Sequence, residues 1–145
     1  MLIQKVTINE LDSLTELFNL YRVFYNQKSD VNSARKFLTE RILKEESVVF
    51  IALNGHESLG FVQLYPSFSS VSMQRSWVLN DLFVKETARG QGVGEKLMKT
   101  AIEFAKETGA KGVLLETAKD NTTAQRLYEK IGFIREGNYY YYFSN

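Results

Sequence analysis

A chain of 145 residues with 44% hydrophobic and 13% aromatic content is long enough to bury a proper core, and reads as one domain over residues 1–145. A formal net charge of +1 leaves no electrostatic case for nucleic acid or an anionic membrane as the main partner. With no cysteine and one histidine there are no disulfides, no thiol nucleophile and little to build a metal centre or a Ser-His-Asp triad, so no metal is expected.

No apolar run is long enough to span a bilayer and no signal peptide is visible, so the expected address is cytoplasmic. Leu2 to Ile8 alternates loosely and reads as a strand. Asn9 is placed to cap a helix whose apolar stripe is Leu11, Leu14, Leu17, Phe18, Tyr21, Phe24 and Tyr25. A second short helix carries Ala34, Phe37, Leu38, Arg41 and Ile42 on one face. Val48 to Leu53 and Leu59 to Tyr65 are β-rich runs joined by Asn54-Gly55, a strong hairpin signal, and Pro66 is expected to end the second. Ser67 to Gln74 reads as a polar loop, and Trp77 to Val84 as the central strand. Val93, Leu97, Ala101, Phe104 and Ala105 mark a helix that Gly109 ends. Gly112 to Thr117 follows as a strand. Thr122-Thr123-Ala124-Gln125 matches a capping box for a last helix with Ala124, Leu127, Tyr128 and Ile131 on its stripe, ended by Gly132. Phe133 to Arg135 and Tyr139 to Phe143 read as two final strands.

The chain is organised around Val84 to Leu97, in which Arg89-Gly90-Gln91-Gly92-Val93-Gly94-Glu95 leads from a strand into a helix. Glycine lets backbone approach a ligand closely, a helix start offers unpaired N–H groups and a positive dipole end, and Arg89 adds a cation of bidentate geometry. These features suit a pyrophosphate. A phosphate loop of the form G-x-x-x-x-G-K-S/T does not fit, because Lys96 follows Glu95 and precedes Leu97. A dinucleotide fingerprint G-x-G-x-x-G fails at Glu95, where its last glycine belongs. Arg/Gln-x-x-Gly-x-Gly/Ala fits, with Arg89, Gly92 and Gly94. That loop resembles the acyl-CoA loop of the GNAT superfamily of N-acyltransferases. Asn121-Thr122-Thr123-Ala124-Gln125-Arg126-Leu127-Tyr128-Glu129-Lys130-Ile131-Gly132-Phe133 resembles the family's second motif, N-x-x-A-x-x-L-Y-x-x-x-G-F, and the resemblance covers nearly the whole chain.

The resemblance implies an α/β GNAT fold: a twisted, mostly antiparallel mixed sheet of about seven strands, four flanking helices and a splayed central parallel pair. It implies acetyl-CoA as the donor, an amine as the acceptor, and diphosphate held by backbone N–H groups of residues 89–94. The pantetheine arm would pair with backbone of Phe83 and Val84, beside Leu82, with Asn121 reaching it from the other side. Gly90, Gln91, Val93, Glu95, Ala124, Tyr128 and Lys130 complete the expected cofactor set. Asn121 is by capping preference equally a helix cap, and the two roles are compatible.

Transfer is expected to be direct, because no cysteine can carry the acyl group. A phenol, with a reference pKa near ~10 against about 8.5 for a thiol, stays protonated at neutral pH, so Tyr128 is the candidate acid. Its place on the apolar stripe suits a core residue as well. For the base, Leu79-Asn80-Asp81-Leu82-Phe83-Val84 is similar to the L-E-D-F-F-V pattern of diamine acetyltransferases, with Asn80 in place of the first acid. Alternation puts Asn80 with Leu82 and Val84, and Asp81 with Phe83 on the other face. Asp81, a water held by Asn80, and Glu116 all stay open as the base, and Asp81 also serves as a structural hydrogen-bonding carboxylate or a cation anchor. Tyr21, Arg22, Tyr25, Tyr65, Ser67 and Phe68, with Asp81 and Glu116, are candidate acceptor-site residues, whose aromatic faces attract amine cations. Polyamine, amino acid, aminoglycoside-like amine and protein lysine all remain as acceptors. A non-catalytic acyl-CoA-binding module is the alternative to an enzyme. The tyrosine run at Tyr139–Tyr142 is very aromatic for an edge strand, which predicts a homodimer.

Overall fold

Near-continuous apolar runs at Val48 to Leu53 and Leu59 to Tyr65 give the middle of the sheet two dry faces, and the helices cover both. The computed structural model describes residues 1–145. Strand β1 (Leu2–Lys5) leads through a 3-10 turn (Ile8–Glu10) into helices α1 (Leu11–Phe24) and α2 (Val31–Leu43). Strands β2 (Val48–Asn54), β3 (Glu57–Ser69) and β4 (Gln74–Val84) follow, then a 3-10 turn (Glu86–Ala88) and α3 (Val93–Glu107). Strand β5 (Val113–Leu114) and α4 (Thr122–Ile131) complete the order. The sheet runs β1-β2-β3-β4-β5, antiparallel except for the parallel pair β4/β5. On one face Phe50, Val62, Leu64, Trp77 and Leu79 pack against Val93, Leu97, Met98, Ala101 and Ala105 of α3. On the other, Val49, Ile51, Phe61 and Phe83 pack against Leu14, Leu17 and Phe18 of α1 and Leu38 of α2.

The expected α/β mixed sheet with four helices is present, but it has five strands rather than about seven. Phe133–Arg135 and Tyr139–Phe143 form no ladder. The free edge nearest in chain order is β5, whose two residues offer almost nothing to pair with. Phe133 instead folds back on the end of α4, its N–H donating to Tyr128 O at 3.0 Å.

Three local expectations are also corrected. Thr7, not Asn9, makes the first cap: its hydroxyl accepts from Asn9 N while Glu10 accepts from Thr7 N, a capping box on the 3-10 turn. At α4 the cap is Asn121, accepting from Ala124 N at 3.3 Å, and Gln125 donates to Ala118 O and Lys119 O instead of closing a box with Thr122. Pro66 does not end its strand, and the hairpin continues to Ser69↔Gln74. Pro66 faces Trp77, whose N–H points away toward Gly112 O at 3.1 Å, and β2 has already stopped at Val48↔Leu64. The missing proline N–H therefore removes no ladder bond.

Candidate active site

The site begins where the parallel pair parts. β4 and β5 pair only at Trp77↔Val113 and Val78↔Leu114, so β4 beyond Val78 has no strand neighbour on that side. Lys85 N–H reaches Leu59 O at 2.8 Å, which places the ladder bonds to β3 at Phe83 and turns the backbone groups of Leu82 and Val84 into the gap. The expectation for Phe83 is corrected accordingly: its backbone belongs to the ladder and its ring is what lines the gap.

The gap is a cleft of about 230 Å³. Leu82, Phe83 and Val84 form its floor, and Ala124, Leu127 and Tyr128 of α4 form one wall with Asn121. Phe24 and Tyr25, at the end of α1, form the other, and Arg89 and Gly94 stand at its mouth. Eight expected cofactor residues thus meet in one place, with Tyr25 from the expected acceptor set. Phe24 and Leu127 join them, although periodicity alone marks both as stripe residues. Being 58% exposed, Phe24 spends its ring on the cleft rather than the core.

At the mouth the chain adopts the shape its glycines permit. Gly90 and Gly92 have φ of 77° and 78°, values that L side chains rarely take. Gly92 is the N-cap of α3 and supplies no side-chain acceptor. The backbone N–H groups of residues 90 to 95 make no hydrogen bond within the protein. They lie at the positive end of the α3 dipole, and a Cβ on Gly92 would meet nothing within 4 Å. Val93 is buried in the core, so only its N–H is available. Arg89 is braced, its Nε donating to Val84 O at 3.1 Å and its guanidinium 5.3 Å from the centre of the Phe24 ring. Lys130 reaches the same rim, 3.4 Å from Glu95, whose carboxyl is held below its usual range by Lys99 and then by Lys130.

A second polar cluster lies on the α1 face of β4. Leu64 pairs with Leu79 and Gln63 with Asp81, leaving Asn80 as an unpaired bulge residue. The bulge removes Asn80 from the alternation, and its side chain turns back to donate to Asp81 Oδ1 at 3.1 Å. Asp81 does share a face with Phe83, as alternation requires. It is 5% exposed and accepts from Gln63 Nε2 at 2.6 Å. Burial pushes its carboxyl up, opposed by donors from Gln63, Tyr21 and Asn80. Tyr21 faces it from α1 with its phenol pushed up by burial and then by the Asp81 charge; Tyr65 is pushed up to about 12 by the same two causes. The Tyr21 ring sits edge-on to Tyr25 at 5.1 Å, and Tyr25 also bears on Tyr128, so the two clusters are continuous.

The remaining expected acceptor residues fall elsewhere. Arg22 ties down the α1–α2 connection by donating to Lys28 O at 3.1 Å. Ser67 and Phe68 are strand residues near the hairpin turn, with Phe68 opposite Arg75 and on the order of 20 Å from Asp81 at ~3.3 Å per residue. Glu116 is exposed and lines neither cluster. No helix is long and apolar enough to cross a membrane, and no His/Asp/Glu group is arranged to hold a metal.

Comparison with known proteins bears on what this arrangement does. Residues 11–133 match the model of the acetyltransferase (GNAT) family. The uncharacterized N-acetyltransferase YhfO of Bacillus subtilis (strain 168) is 42% identical over 145 residues, covering 100% of this chain and 97% of that one. A probable acetyltransferase of Haemophilus influenzae is 35% identical over 111 residues, 76% of each chain. Among solved structures, the crystal structure of a probable acetyltransferase superposes with a TM-score of 0.93 at 45% identity, covering 100% of this chain and 99% of the other.

Proposed function

We propose, from the premise that this chain belongs to the acetyltransferase (GNAT) family, that its cleft binds acetyl-CoA and that it moves the acetyl group directly onto a primary amine. The chain is an N-acetyltransferase; the donor and the acceptor are the parts of this reading to be tested. The observation that carries it is the row of unpaired N–H groups at residues 90 to 95 opening onto a cleft that also contains Tyr128.

Those N–H groups, Arg89 and Lys130 fit a diphosphate, and the gap beside Leu82 and Val84 fits an extended arm that pairs with strand backbone. CoA would supply an acetyl thioester, activated for attack by nitrogen. The chain's own groups do the rest. Val84 N–H faces the gap and polarises a carbonyl placed there. The Tyr128 hydroxyl, protonated at neutral pH and pushed further up by burial, donates to the departing sulfur. Asp81 takes the proton from the amine, and the Tyr21 and Tyr65 rings flank that route and favour a cationic acceptor. A small-molecule primary amine or a protein lysine fits this chemistry.

Release of free thiol from acetyl-CoA, across a panel of polyamines, amino acids, aminoglycosides and lysine peptides, identifies the acceptor. CoA should raise the melting temperature while NAD leaves it unchanged. No stabilisation by CoA, and no thiol release with any amine, would remove the proposal.

A further inference from the structure

We propose that Gln63 is a positioning residue of this enzyme: its side-chain amide holds the Asp81 carboxylate turned toward Tyr21 and sets how readily that carboxylate takes a proton. The inference rests on the reading of Asp81 as the base.

Gln63 is an unexpected residue for its place. It is 0% exposed, between Phe61, Val62 and Leu64, which are equally hidden. Its Nε2 donates to Asp81 Oδ2 at 2.6 Å, while its Oε1 has no donor at all. A buried amide with its oxygen stranded adds little to stability, and a methionine of similar volume would fill the site without stranding a polar atom. The side chain makes sense through its one partner.

The clamp follows from the strand register. The bulge at Asn80 brings Asp81 directly opposite Gln63, and Asn80 Nδ2 takes the other carboxylate oxygen at 3.1 Å. One donor comes across the ladder and one from the bulge, which leaves the carboxylate presented to α1. The groups that face it there are Tyr21 of α1 and Tyr65 of β3, and the charge of Arg41 of α2 acts on Tyr65. No cation is among the groups that favour its charge, and of the three donors Gln63 acts most strongly. Burial works against the charged form of the carboxyl, and the Gln63 donor opposes it.

The test follows the Asp81 carboxyl itself, by carbon NMR of chain labelled at the aspartate carboxyls, with Asp81→Asn assigning the resonance. In Gln63→Met the Asp81 titration midpoint should rise by about one pH unit, because a donor to the charged form is gone. In isosteric Gln63→Glu, which keeps the packing if the methionine variant does not fold, two carboxyls share the site and titrate in two steps, the upper one above the parent's midpoint. The acidic limb of kcat/KM should move with the midpoint in each variant, with KM for acetyl-CoA unchanged. A midpoint that stays put in both variants overturns the proposal. A midpoint that rises without the limb following upholds the role of Gln63 and removes Asp81 as the base.

Discussion

Burial pushes both Tyr128 and Asp81 up, which suits the phenol to giving a proton and works against the charged carboxylate, and each makes a prediction at the scale of one atom. Tyr128→Phe removes only a hydroxyl from a half-buried ring that still packs on Phe133 at 6.1 Å. Turnover should fall by roughly 10²-fold or more, as for other lost general acids, with CoA-induced stabilisation intact; an unchanged rate would take Tyr128 out of the mechanism. Asp81 is a buried carboxyl whose folded pKa is raised, so the folded state binds its proton more tightly than the unfolded one. Its contribution to stability is full below the unfolded pKa and is lost as pH rises through the folded value, at about 1.4 kcal/mol for each pH unit that separates the two. Asp81→Asn cannot ionise and escapes that loss. Its melting temperature should therefore gain on the parent's as pH rises from about 4 to 8, while its turnover collapses. A gap between the two melting curves that narrows over this range would show that the carboxylate is better paired than its surroundings indicate.

The loop into α3 is where sequence and structure agree most closely, and it allows binding to be separated from folding. Gly94 is a helical residue whose added Cβ would lie 3.7 Å from Val84 Cγ2, an ordinary contact, with the cleft beyond. Valine has a helix propensity no worse than glycine's, so Gly94→Val should melt within about 1 kcal/mol of the parent. Its methyls fill the mouth between α3 and β4, so CoA should no longer stabilise it. Gly92→Val should also lose CoA, but there the positive φ adds a folding penalty of about 1–3 kcal/mol, and the comparison of the two variants isolates the cradle from the strain. CoA binding retained in Gly94→Val would place the cofactor elsewhere. The loop was legible because a positive φ at a helix start demands glycine at those positions whatever the chain does later. Helix stripes and hairpins were legible for the same local reason. The bulge at Asn80 was not, because it depends on how β4 registers against β3, two segments whose pairing no local pattern specifies. With the bulge unseen, the clamp on Asp81 was unseen too, although a glutamine inside the apolar run from Leu59 to Tyr65 was the available signal. Phe24 reads as packing because periodicity identifies an apolar face without telling core from cleft. The cap at Thr7 was misplaced by two positions and the box at Thr122–Gln125 does not form, since several neighbouring polar side chains compete for the same N–H groups, whereas Asn121 caps α4 as capping preference allows.

For the whole molecule the outstanding feature is the segment Tyr139–Phe143. All five side chains are exposed, from 77% at Tyr140 to 90% at Tyr139 and Tyr141, so neither face of the segment is covered by its own chain. Aromatic side chains bury ~150–250 Å² each, and this run offers on the order of 800 Å², what one partner contributes to an interface of standard size. An uncovered patch of that extent on a chain of net charge +1 favours association over solubility. The chain should therefore sediment as a dimer at micromolar concentration. Tyr140→Lys combined with Tyr142→Lys should release the monomer, because two like charges in a desolvated contact cost several kcal/mol between them. Neither substitution touches the cleft, so CoA should still stabilise the released monomer. A parent chain that sediments as a monomer at micromolar concentration would leave this segment without a partner copy and withdraw the dimer.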